Sequence, residues 1–147
     1  MRRSPMASLT PFHLAFPVHD LEAARSFYKD VLGCGQGREA ETWIDFDMFG
    51  HQIVAHFDKD AAARGQVVNP VDGDSVPVPH CGVVLTMDDW TALADRLKAR
   101  EDTRWVIEPK IRFKGEPGEQ ATLFVLDPSG NALEFKAFAD MGQLFAT

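Results

Sequence analysis

The spacing of apolar residues in the first part of the chain predicts a strand followed by a helix. Residues 12–18 (FHLAFPV) form an apolar run with several β-formers, which is typical of a strand. In residues 20–33 (DLEAARSFYKDVLG) the apolar side chains recur three and four positions apart, so a helix is predicted there. Asp20 is a good N-cap for this helix, and Gly33 is a good residue to end it.

Two strands and a connecting segment are predicted next. Residues 42–49 (TWIDFDMF) alternate between apolar and polar side chains, and residues 51–57 (HQIVAHF) follow after a turn at Gly50. Residues 58–79 are rich in Pro, Gly, Asp and Ala, so they are predicted to be a linker. Because a segment of this length without structure is unusual inside a compact domain, it is expected to join two units or to have a function.

The same order of elements then begins again. Residues 88–100 (DDWTALADRLKAR) have helical periodicity, and Asp88 or Asp89 is the predicted N-cap. Pro109 interrupts an apolar segment, which therefore predicts either an edge strand or two short strands. The strands predicted in this half are residues 80–87, 105–113, 121–127 and 131–138.

The two halves form an internal repeat with a period of about 67 residues, the separation between His13 and His80. Each of these histidines lies five residues before the last apolar position ahead of the predicted helix. In the last strand of each half, the equivalent positions are Val54 and Glu134. The repeat therefore aligns two histidines with each other, and a carboxylate with an apolar residue.

Glu134 is a carboxylate within an otherwise apolar strand. Burying an unpaired carboxylate costs several kcal/mol, so this side chain must either face water or have a positively charged partner. If the two halves pair about a pseudo-twofold axis, Glu134 can meet His13 and His80 at one point. Two histidines and one carboxylate form a facial triad that leaves coordination positions open. The repeat therefore predicts a divalent metal ion held by these three residues.

Composition and charge narrow the partners. Of the 147 residues, 45% are hydrophobic and 25% are charged, which suits one domain made of two small halves. No apolar run approaches the roughly 20 residues of a membrane helix and no secretory signal is recognisable, so a cytoplasmic location is predicted. A net charge of −7 without a basic stripe argues against nucleic acid and anionic membranes. Cys34 and Cys81 are expected to be reduced, with a disulfide as the alternative.

Three segments resemble the vicinal oxygen chelate superfamily, which includes glyoxalase I, extradiol dioxygenases and bleomycin-resistance proteins. These segments are FHLAFPVHDLEAARSFYKDVLG, HCGVVLTMDD and DPSGNALEF, and the resemblance spans residues 11–138. In that superfamily the metal ligands come from the first strand of each module and from the last strand. The resemblance therefore also implies ligands at His13, His80 and Glu134.

The resemblance implies an α+β fold in which two tandem βαβββ modules curl a mixed sheet around a metal cavity. The modules correspond to residues 11–57 and 80–138, and the linker to residues 58–79. Together they are expected to form one domain over residues 1–147.

The sequence departs from two branches of the superfamily. Glyoxalase I-type enzymes usually carry a fourth ligand, a glutamate, where this chain has Val54 with Ala55 beside it. Extradiol dioxygenases have three ligands, but they usually place a tyrosine at the position of Phe124 and a histidine upstream of it. Here no histidine follows His80. Bleomycin-resistance proteins bind drug without metal and need no triad, so three retained ligands favour a metal enzyme.

An extradiol-type ring-cleaving dioxygenase is the function that the resemblance favours. It implies Fe²⁺ first, with Mn²⁺ or Zn²⁺ as alternatives, and a small aromatic diol or 2-oxo compound as substrate. A glyoxalase-like lyase or isomerase, in which the metal acts as a Lewis acid, is the first alternative. A metal-free protein that binds an aromatic compound is the second.

Strand alternation identifies further residues of the expected cavity. If Glu134 faces the cavity, Lys136 does so too, and the repeat places Gln52 and His56 on the equivalent face. His56 is therefore the predicted acid–base residue. His51 has the opposite parity and is expected to be structural or exposed. Lys136 either contacts an anionic substrate or is solvated.

Two remaining segments are predicted to lie at the surface. The tail AFADMGQLFAT, residues 137–147, carries apolar side chains without a role in the repeat, so a homodimer is predicted in which this tail takes part. Residues 112–120 (RFKGEPGEQ) form either a lid that carries Arg112 or Lys114 to a substrate carboxylate or a plain exposed loop. The apolar tail residues are Phe138, Met141, Leu144 and Phe145.

Overall fold

The computed structural model describes residues 9–71 and 73–146. Within these ranges the chain forms two four-stranded sheets, two main helices and a hairpin. The first half contains β1 (His13–Val18), α1 (Leu21–Arg25), β2 (Gly35–Glu39), β3 (Trp43–Met48) and β4 (His51–Phe57). The connecting segment contains β5 (Val67–Val71) and β6 (Asp74–Val78). The second half contains β7 (Val84–Leu85), α2 (Met87–Lys98), β8 (Arg104–Arg112), β9 (Gln120–Leu126) and β10 (Ala132–Phe138).

The two sheets have the same topology. Their strand orders are β1-β4-β3-β2 and β7-β10-β9-β8, and in each sheet the first pair is parallel and the others antiparallel. The predicted repeat and the α+β class are therefore confirmed. The sequence did not predict β2, because its residues GQGRE lack an apolar alternation and are largely exposed.

Both predicted helices are present, but one cap differs from the prediction. Asp20 caps α1 by accepting a hydrogen bond from the Ala23 amide at 3.1 Å, as expected. Beyond α1 the chain continues as a π-helical turn, Ser26–Val31. The cap of α2 is Thr86, which accepts from the Asp89 amide at 3.2 Å, so the assignment of Asp88 or Asp89 was wrong. Both aspartates lie in the first turn, where negative charge favours the helix dipole.

A single apolar core joins the two halves. It contains the helix-facing side chains of both sheets, including Phe46 and Phe135, and the buried faces of the helices. Leu93 and Leu97, which the helical periodicity places on one face, are buried in it. Burial of each large apolar side chain contributes about 1.5–3 kcal/mol. The halves are therefore packed against each other through their helix sides.

Segment 58–79 is more ordered than the predicted linker. It contains a 3₁₀ turn, Ala61–Ala63, and the hairpin β5–β6. Val76 of the hairpin packs in a second apolar cluster with Ile107, Phe124 and Ala132, on the side of the second sheet opposite α2. The sequence did not predict this hairpin for two reasons. Both strands contain a proline, which is tolerated only in edge strands or isolated ribbons, and β5 is fully exposed.

The remaining elements refine the sequence predictions. The segment with Pro109 forms one continuous edge strand, β8, whose register shifts around Ile107. Of residues 80–87, only Val84–Leu85 form a strand, and Cys81 adds an isolated parallel bridge to Leu133. No helix in the described part of the chain is long and apolar enough to cross a lipid bilayer. Both cysteines are free thiols.

Gly82 allows the segment after His80 to lie directly against β10. A Cβ atom built at this glycine would be 1.5 Å from the carbonyl oxygen of Glu134, a distance that no side chain can occupy. On either side, the Glu134 amide donates to the Cys81 carbonyl at 2.8 Å, and the Lys136 amide donates to the Val83 carbonyl at 3.3 Å. The approach of the two strands is therefore fixed by main-chain atoms.

Candidate metal centre

Glu134 lies on the face of the second sheet that is turned away from the core. Its neighbours Leu133 and Phe135 are buried in the core, so strand alternation directs Glu134 to the opposite side. Its side chain keeps 15% of its surface exposed. The hydroxyl of Thr122, on the adjacent strand β9, donates to Oε2 of Glu134 at 2.7 Å. One carboxylate oxygen is thereby occupied, and Oε1 remains for another partner.

That partner is His80. Its Nε2 lies 3.4 Å from Oε1 of Glu134, and its Nδ1 lies 2.7 Å from the Pro77 carbonyl oxygen. Because a carbonyl only accepts hydrogen bonds, Nδ1 carries a hydrogen, and Nε2 is the ring nitrogen that faces the carboxylate. The ring is held edge-on against Phe124, with centroids 4.8 Å apart.

The chemistry of this pair fits a metal ion. Two electron-pair donors, Nε2 of His80 and Oε1 of Glu134, face each other and need a cation or a second proton between them. Ligands bonded to one Zn²⁺-like ion at about 2.1 Å each are separated by roughly 3–3.5 Å, which matches the observed 3.4 Å. The Pro77 carbonyl and Thr122 supply the outer hydrogen bonds that normally orient such ligands.

His13 does not join this pair within one chain. It lies on β1 of the first sheet, where its Nδ1 is 2.7 Å from Oε1 of Gln52. Among residues 9–71 and 73–146, no three His, Cys, Asp or Glu side chains are close enough to share an ion. The structure therefore brings together two of the three predicted ligands, His80 and Glu134, and places the third elsewhere.

The two half-sites lie on equivalent faces of the repeat. Leu14 and Phe16 of β1 pack on the core, so His13 is on the face turned away from it, as Glu134 is in the second sheet. Since the core lies on the helix sides of the two sheets, both of these faces point away from it. The second face is partly covered by the hairpin, because Asp74 binds Lys110 at 2.8 Å and Arg112 at 3.5 Å.

Lys136 and the segment 112–120 contribute charge near this face. Lys136 pairs across the sheet with Thr122, and Thr122 pairs with Lys110, so the two lysines flank the threonine that binds Glu134. Hydrogen bonding to Lys110 lowers the pKa of the Asp74 carboxyl. Arg112 ends β8 beside Asp74, which supports the hairpin contact rather than a separate lid.

The two histidines of β4 have different surroundings. His51 Nδ1 accepts a hydrogen bond from the Phe12 amide at 2.9 Å, a structural role that agrees with its parity. His56 is exposed and is the cross-strand partner of Trp43 and Pro17. It lies four residues beyond Gln52, which corresponds to about 13 Å along an extended strand.

Asp45 is a carboxylate that the sequence analysis missed. It is only 9% exposed, yet within the described residues its one hydrogen bond comes from Nε2 of Gln52, at 3.3 Å. It is the cross-strand partner of Val54, the position equivalent to Glu134. No distinct signal marked it in the sequence, because Asp45 occupies one of the polar positions of an ordinarily alternating strand.

A cavity between the halves borders His80. Its volume is about 560 Å³, and its wall includes Leu14, Phe16, Ile53 and Cys81. This size and the mostly apolar lining are typical of sites for small organic molecules.

The chain is similar to known proteins in both sequence and structure. A sequence profile described as Glyoxalase/Bleomycin resistance protein/Dioxygenase superfamily matches residues 10–135. No curated protein sequence matches the chain significantly.

Several solved structures share the fold. A glyoxalase/bleomycin resistance protein/dioxygenase from Alicyclobacillus acidocaldarius is 32% identical, with a TM-score of 0.74, and the match covers 92% of this chain and 96% of that one. The fosfomycin resistance protein FosX from Listeria monocytogenes is 14% identical, with a TM-score of 0.65 and coverage of 89% and 93%. Oxidase ChaP-H2 is 20% identical, with a TM-score of 0.57 and coverage of 88% and 94%.

Proposed function

Because the chain belongs to the glyoxalase/bleomycin resistance protein/dioxygenase superfamily, we propose that it is a divalent-metal-dependent enzyme that acts on a small substrate with two neighbouring oxygen atoms. The observation that carries the proposal is the pair of His80 Nε2 and Glu134 Oε1, which face each other at 3.4 Å with outer hydrogen bonds already made. His80 and Glu134 hold the ion, and His13 is the third ligand.

The third ligand comes from a second copy of the chain. In a twofold dimer both subunits use the same surface for the contact. If the face with His13 meets the partner's face with His80 and Glu134, symmetry therefore repeats this contact at a second, equivalent place. Such a dimer has two identical sites, each completed by the partner subunit's His13, and it supplies the curled sheet around a metal cavity expected from the sequence. Apolar side chains available for the contact are exposed on the hairpin and at the end of β8: Val67, Val68, Val71, Val78, Ile111 and Phe113.

The bound ion would act as a Lewis acid on a chelating substrate and, if it is Fe²⁺, would support oxygen chemistry. The protein's own groups do the rest. Thr122 keeps the Glu134 carboxylate in one orientation, and the Pro77 carbonyl keeps the His80 hydrogen on Nδ1. Lys136, half-buried on the same face, favours substrates with an anionic oxygen near the ligands.

Ring-cleaving oxygenation of an aromatic diol by Fe²⁺ is the first candidate reaction, because the ligand set has three members and Val54 offers no fourth. A lyase or isomerase reaction with Mn²⁺ or Zn²⁺ is the second candidate. It is favoured by Phe124, which has no hydroxyl for the acid–base work of a ring-cleaving enzyme, and by Asp45, a carboxylate beside the position of the fourth glyoxalase ligand. The apolar cavity beside His80 is compatible with metal-free binding of an aromatic compound, which the experiment below also tests.

Metal analysis of freshly purified protein tests the proposal. Stoichiometric iron, manganese or zinc is expected, together with its loss in His80→Ala and Glu134→Gln. His51→Ala is the matched control, because that histidine is occupied by the Phe12 amide, and it should keep the ion. Wild-type protein that binds an aromatic compound tightly without metal and shows no turnover would instead identify a binding protein.

The reaction type requires a second measurement. Oxygen uptake with a panel of catechols that depends strictly on Fe²⁺ identifies a dioxygenase. Full activity on a 2-oxo substrate with redox-inactive Zn²⁺ identifies the lyase or isomerase alternative.

A further inference from the structure

We propose that Gln52 and Asp45 are positioning residues that hold His13 in the tautomer whose Nε2 can bind a metal ion. The proposal rests on the proposed function for the identity of the ligand, but its first test is independent of any metal. The observation behind it is a line of hydrogen bonds on the outward face of the first sheet. It runs from Asp45 through the Gln52 amide to His13.

The direction of these hydrogen bonds follows from Asp45. A carboxylate only accepts, so the amide group of Gln52 that lies 3.3 Å from Oδ2 of Asp45 is its NH₂. The amide oxygen of Gln52 is then the group 2.7 Å from His13 Nδ1. Because an amide oxygen also only accepts, Nδ1 of His13 must donate. The lone pair of the neutral ring is therefore on Nε2.

Both predicted histidine ligands thus carry a hydrogen on Nδ1, but the group that accepts this hydrogen differs between them. At His80 the acceptor for Nδ1 is the main-chain carbonyl of Pro77, and at His13 it is the side chain of Gln52. In both rings the atom left for a ligand is Nε2. A hydrogen-bonded partner on the second nitrogen is the usual support of a metal-binding histidine.

Asp45 is a buried carboxylate whose charge has little compensation, and this is the reason to look for a role for it. The residue is 9% exposed, and in the described part of the chain no Lys, Arg or His lies within ion-pair distance of its carboxylate. Gly37 of β2 lies close beside Asp45, because a Cβ built at this glycine would come within 3.2 Å of the Cβ of Asp45. A buried carboxylate with one neutral donor destabilises the fold, so a role other than stability accounts for it.

Strand register explains why the line reaches His13. Gln52 is the direct partner of His13 in the parallel β1–β4 pair. Asp45 is the direct partner of Val54, two residues further along β4, and is therefore diagonal to Gln52 on the same face. The three side chains consequently occupy adjacent positions on three neighbouring strands, with Gln52 between Asp45 and Nδ1 of His13.

The first test is the tautomer of His13 in metal-free protein, read from the ¹⁵N chemical shifts of the imidazole nitrogens. In the neutral ring of wild type, the hydrogen is expected on Nδ1 and the lone pair on Nε2. Gln52→Leu and Asp45→Ala should release the preference, and Asp47→Asn should not. Asp47 is a matched control because it lies on the same strand but accepts from the Gly50 amide. Wild-type His13 with its hydrogen on Nε2 overturns the proposal, whether or not the protein binds metal.

The second test is the affinity for Mn²⁺ or Zn²⁺, measured by competition with a chelator. Gln52→Leu and Asp45→Ala are each expected to weaken binding 10–100-fold, the usual effect of removing an outer hydrogen-bond partner. The double variant Asp45→Asn, Gln52→Glu reverses the donor and acceptor between the two residues while still offering His13 an oxygen. It should bind within a few-fold of wild type. Unchanged affinity in Gln52→Leu, or no rescue in the double variant, contradicts the proposal.

Thermal unfolding separates positioning from structure. Loss of a structural hydrogen bond lowers Tm, whereas removal of an uncompensated buried carboxylate leaves Tm unchanged or raises it. Metal-free Asp45→Ala should therefore melt no lower than wild type, and so should the double variant Asp45→Asn, Gln52→Glu. A large drop in Tm in both would assign Asp45 and Gln52 a structural role instead.

Discussion

The hydroxyl of Tyr28 donates a 2.7 Å hydrogen bond to Oδ2 of Asp127, and both side chains are completely buried. Tyr28 belongs to the helix of the first half and Asp127 to the turn that precedes β10 in the second. The same carboxylate also accepts from the amides of Ser129 and Asn131 at 2.8 Å and from the Asn131 side chain at 2.9 Å. The turn that introduces the strand of Glu134 is thus held by a residue from the other half.

Tyr28→Phe is expected to destabilise the protein without changing its fold. The substitution keeps the buried ring and removes one donor from a carboxylate that retains three others. Loss of a hydrogen bond to a buried charged group costs about 1–3 kcal/mol. Urea denaturation should show this decrease in the free energy of unfolding with an unchanged m value. A change below the error of the measurement would mean that the turn is held by its own hydrogen bonds alone.

The stability of the protein should fall in alkaline solution partly because of Tyr28. Burial, and then the nearby charge of Asp127, raise the pKa of Tyr28 well above its usual value of 10. In the folded chain the phenol stays neutral, whereas in the unfolded chain it ionises near pH 10. Its contribution to stability is therefore complete below pH 10 and decreases as the pH rises further.

Comparison of wild type with Tyr28→Phe isolates this effect. Cys34, whose pKa is raised to about 12 chiefly by burial, acts with the same sign from about pH 9, but it is present in both proteins. The difference in the free energy of unfolding between the two proteins should shrink between pH 9 and pH 11. A constant difference over that range would mean that Tyr28 does not cause the loss of stability in alkaline solution.

Mixed dimers test whether each site takes His13 from the partner subunit. His13→Ala and Glu134→Ala should each lose most of the metal as homodimers. A heterodimer of these two variants is expected to regain one of its two sites, because the Glu134→Ala subunit still supplies His13 to the intact His80 and Glu134 of the other. Metal content per dimer after co-expression and separation by two affinity tags is the measurement.

The control for this experiment is a heterodimer of His80→Ala and Glu134→Ala. These two proposed ligands lie 3.4 Å apart within one chain, so mixing cannot rebuild a site. Recovery of metal in both mixtures, or in neither, would rule out the shared site.

The C-terminal tail is still predicted to take part in the dimer, but only through the residues that follow β10. Phe138 is the final residue of β10 and is buried within its own chain, so the expectation that it has no role in the repeat was wrong. Phe145 is 90% exposed. Phe145→Ser is therefore expected to weaken the dimer, and sedimentation at micromolar concentration should show a larger monomer fraction. Phe138→Ser should instead lower Tm.

His56 and His51 form a pair for testing the predicted base. His51→Ala should cost little activity, since its ring is bonded to the Phe12 amide. His56→Ala is predicted to keep the metal and to lose about 10²–10⁴-fold in turnover, with partial recovery at high pH. Its position about 13 Å along β4 from Gln52 requires that the substrate extend along the strand. Equal small losses in both variants would place the base elsewhere.

The sequence predicted the features that depend on local pattern. The period of the apolar residues was sufficient for both helices and for most strands of the two sheets, and the single carboxylate in an apolar strand was sufficient to find Glu134. The sequence did not predict β2, whose residues lack an apolar alternation. It did not predict β5–β6, whose exposed strands leave no alternation to detect. Asp45 was missed because the equivalence of Val54 and Glu134 directed attention to one strand, whereas the carboxylate lies on the neighbouring one.

The location of His13 is a different kind of difficulty. The repeat shows that His13 and His80 occupy equivalent places, but equivalence does not decide whether equivalent faces meet within a chain or between chains. That depends on how the halves pack, and here the apolar sides of both helices and the fully buried Tyr28 join the halves through their cores. Periodicity in sequence carries no information about that choice.

The contact at Gly82 limits which substitutions the proposed site can tolerate. Main-chain atoms set how closely the segment after His80 lies against the strand of Glu134, and no side chain fits between them. Any residue other than glycine at position 82 would therefore push this segment away from β10 and separate the two proposed donors. Position 82 is consequently closed to substitution, although its residue supplies no atom to the proposed site.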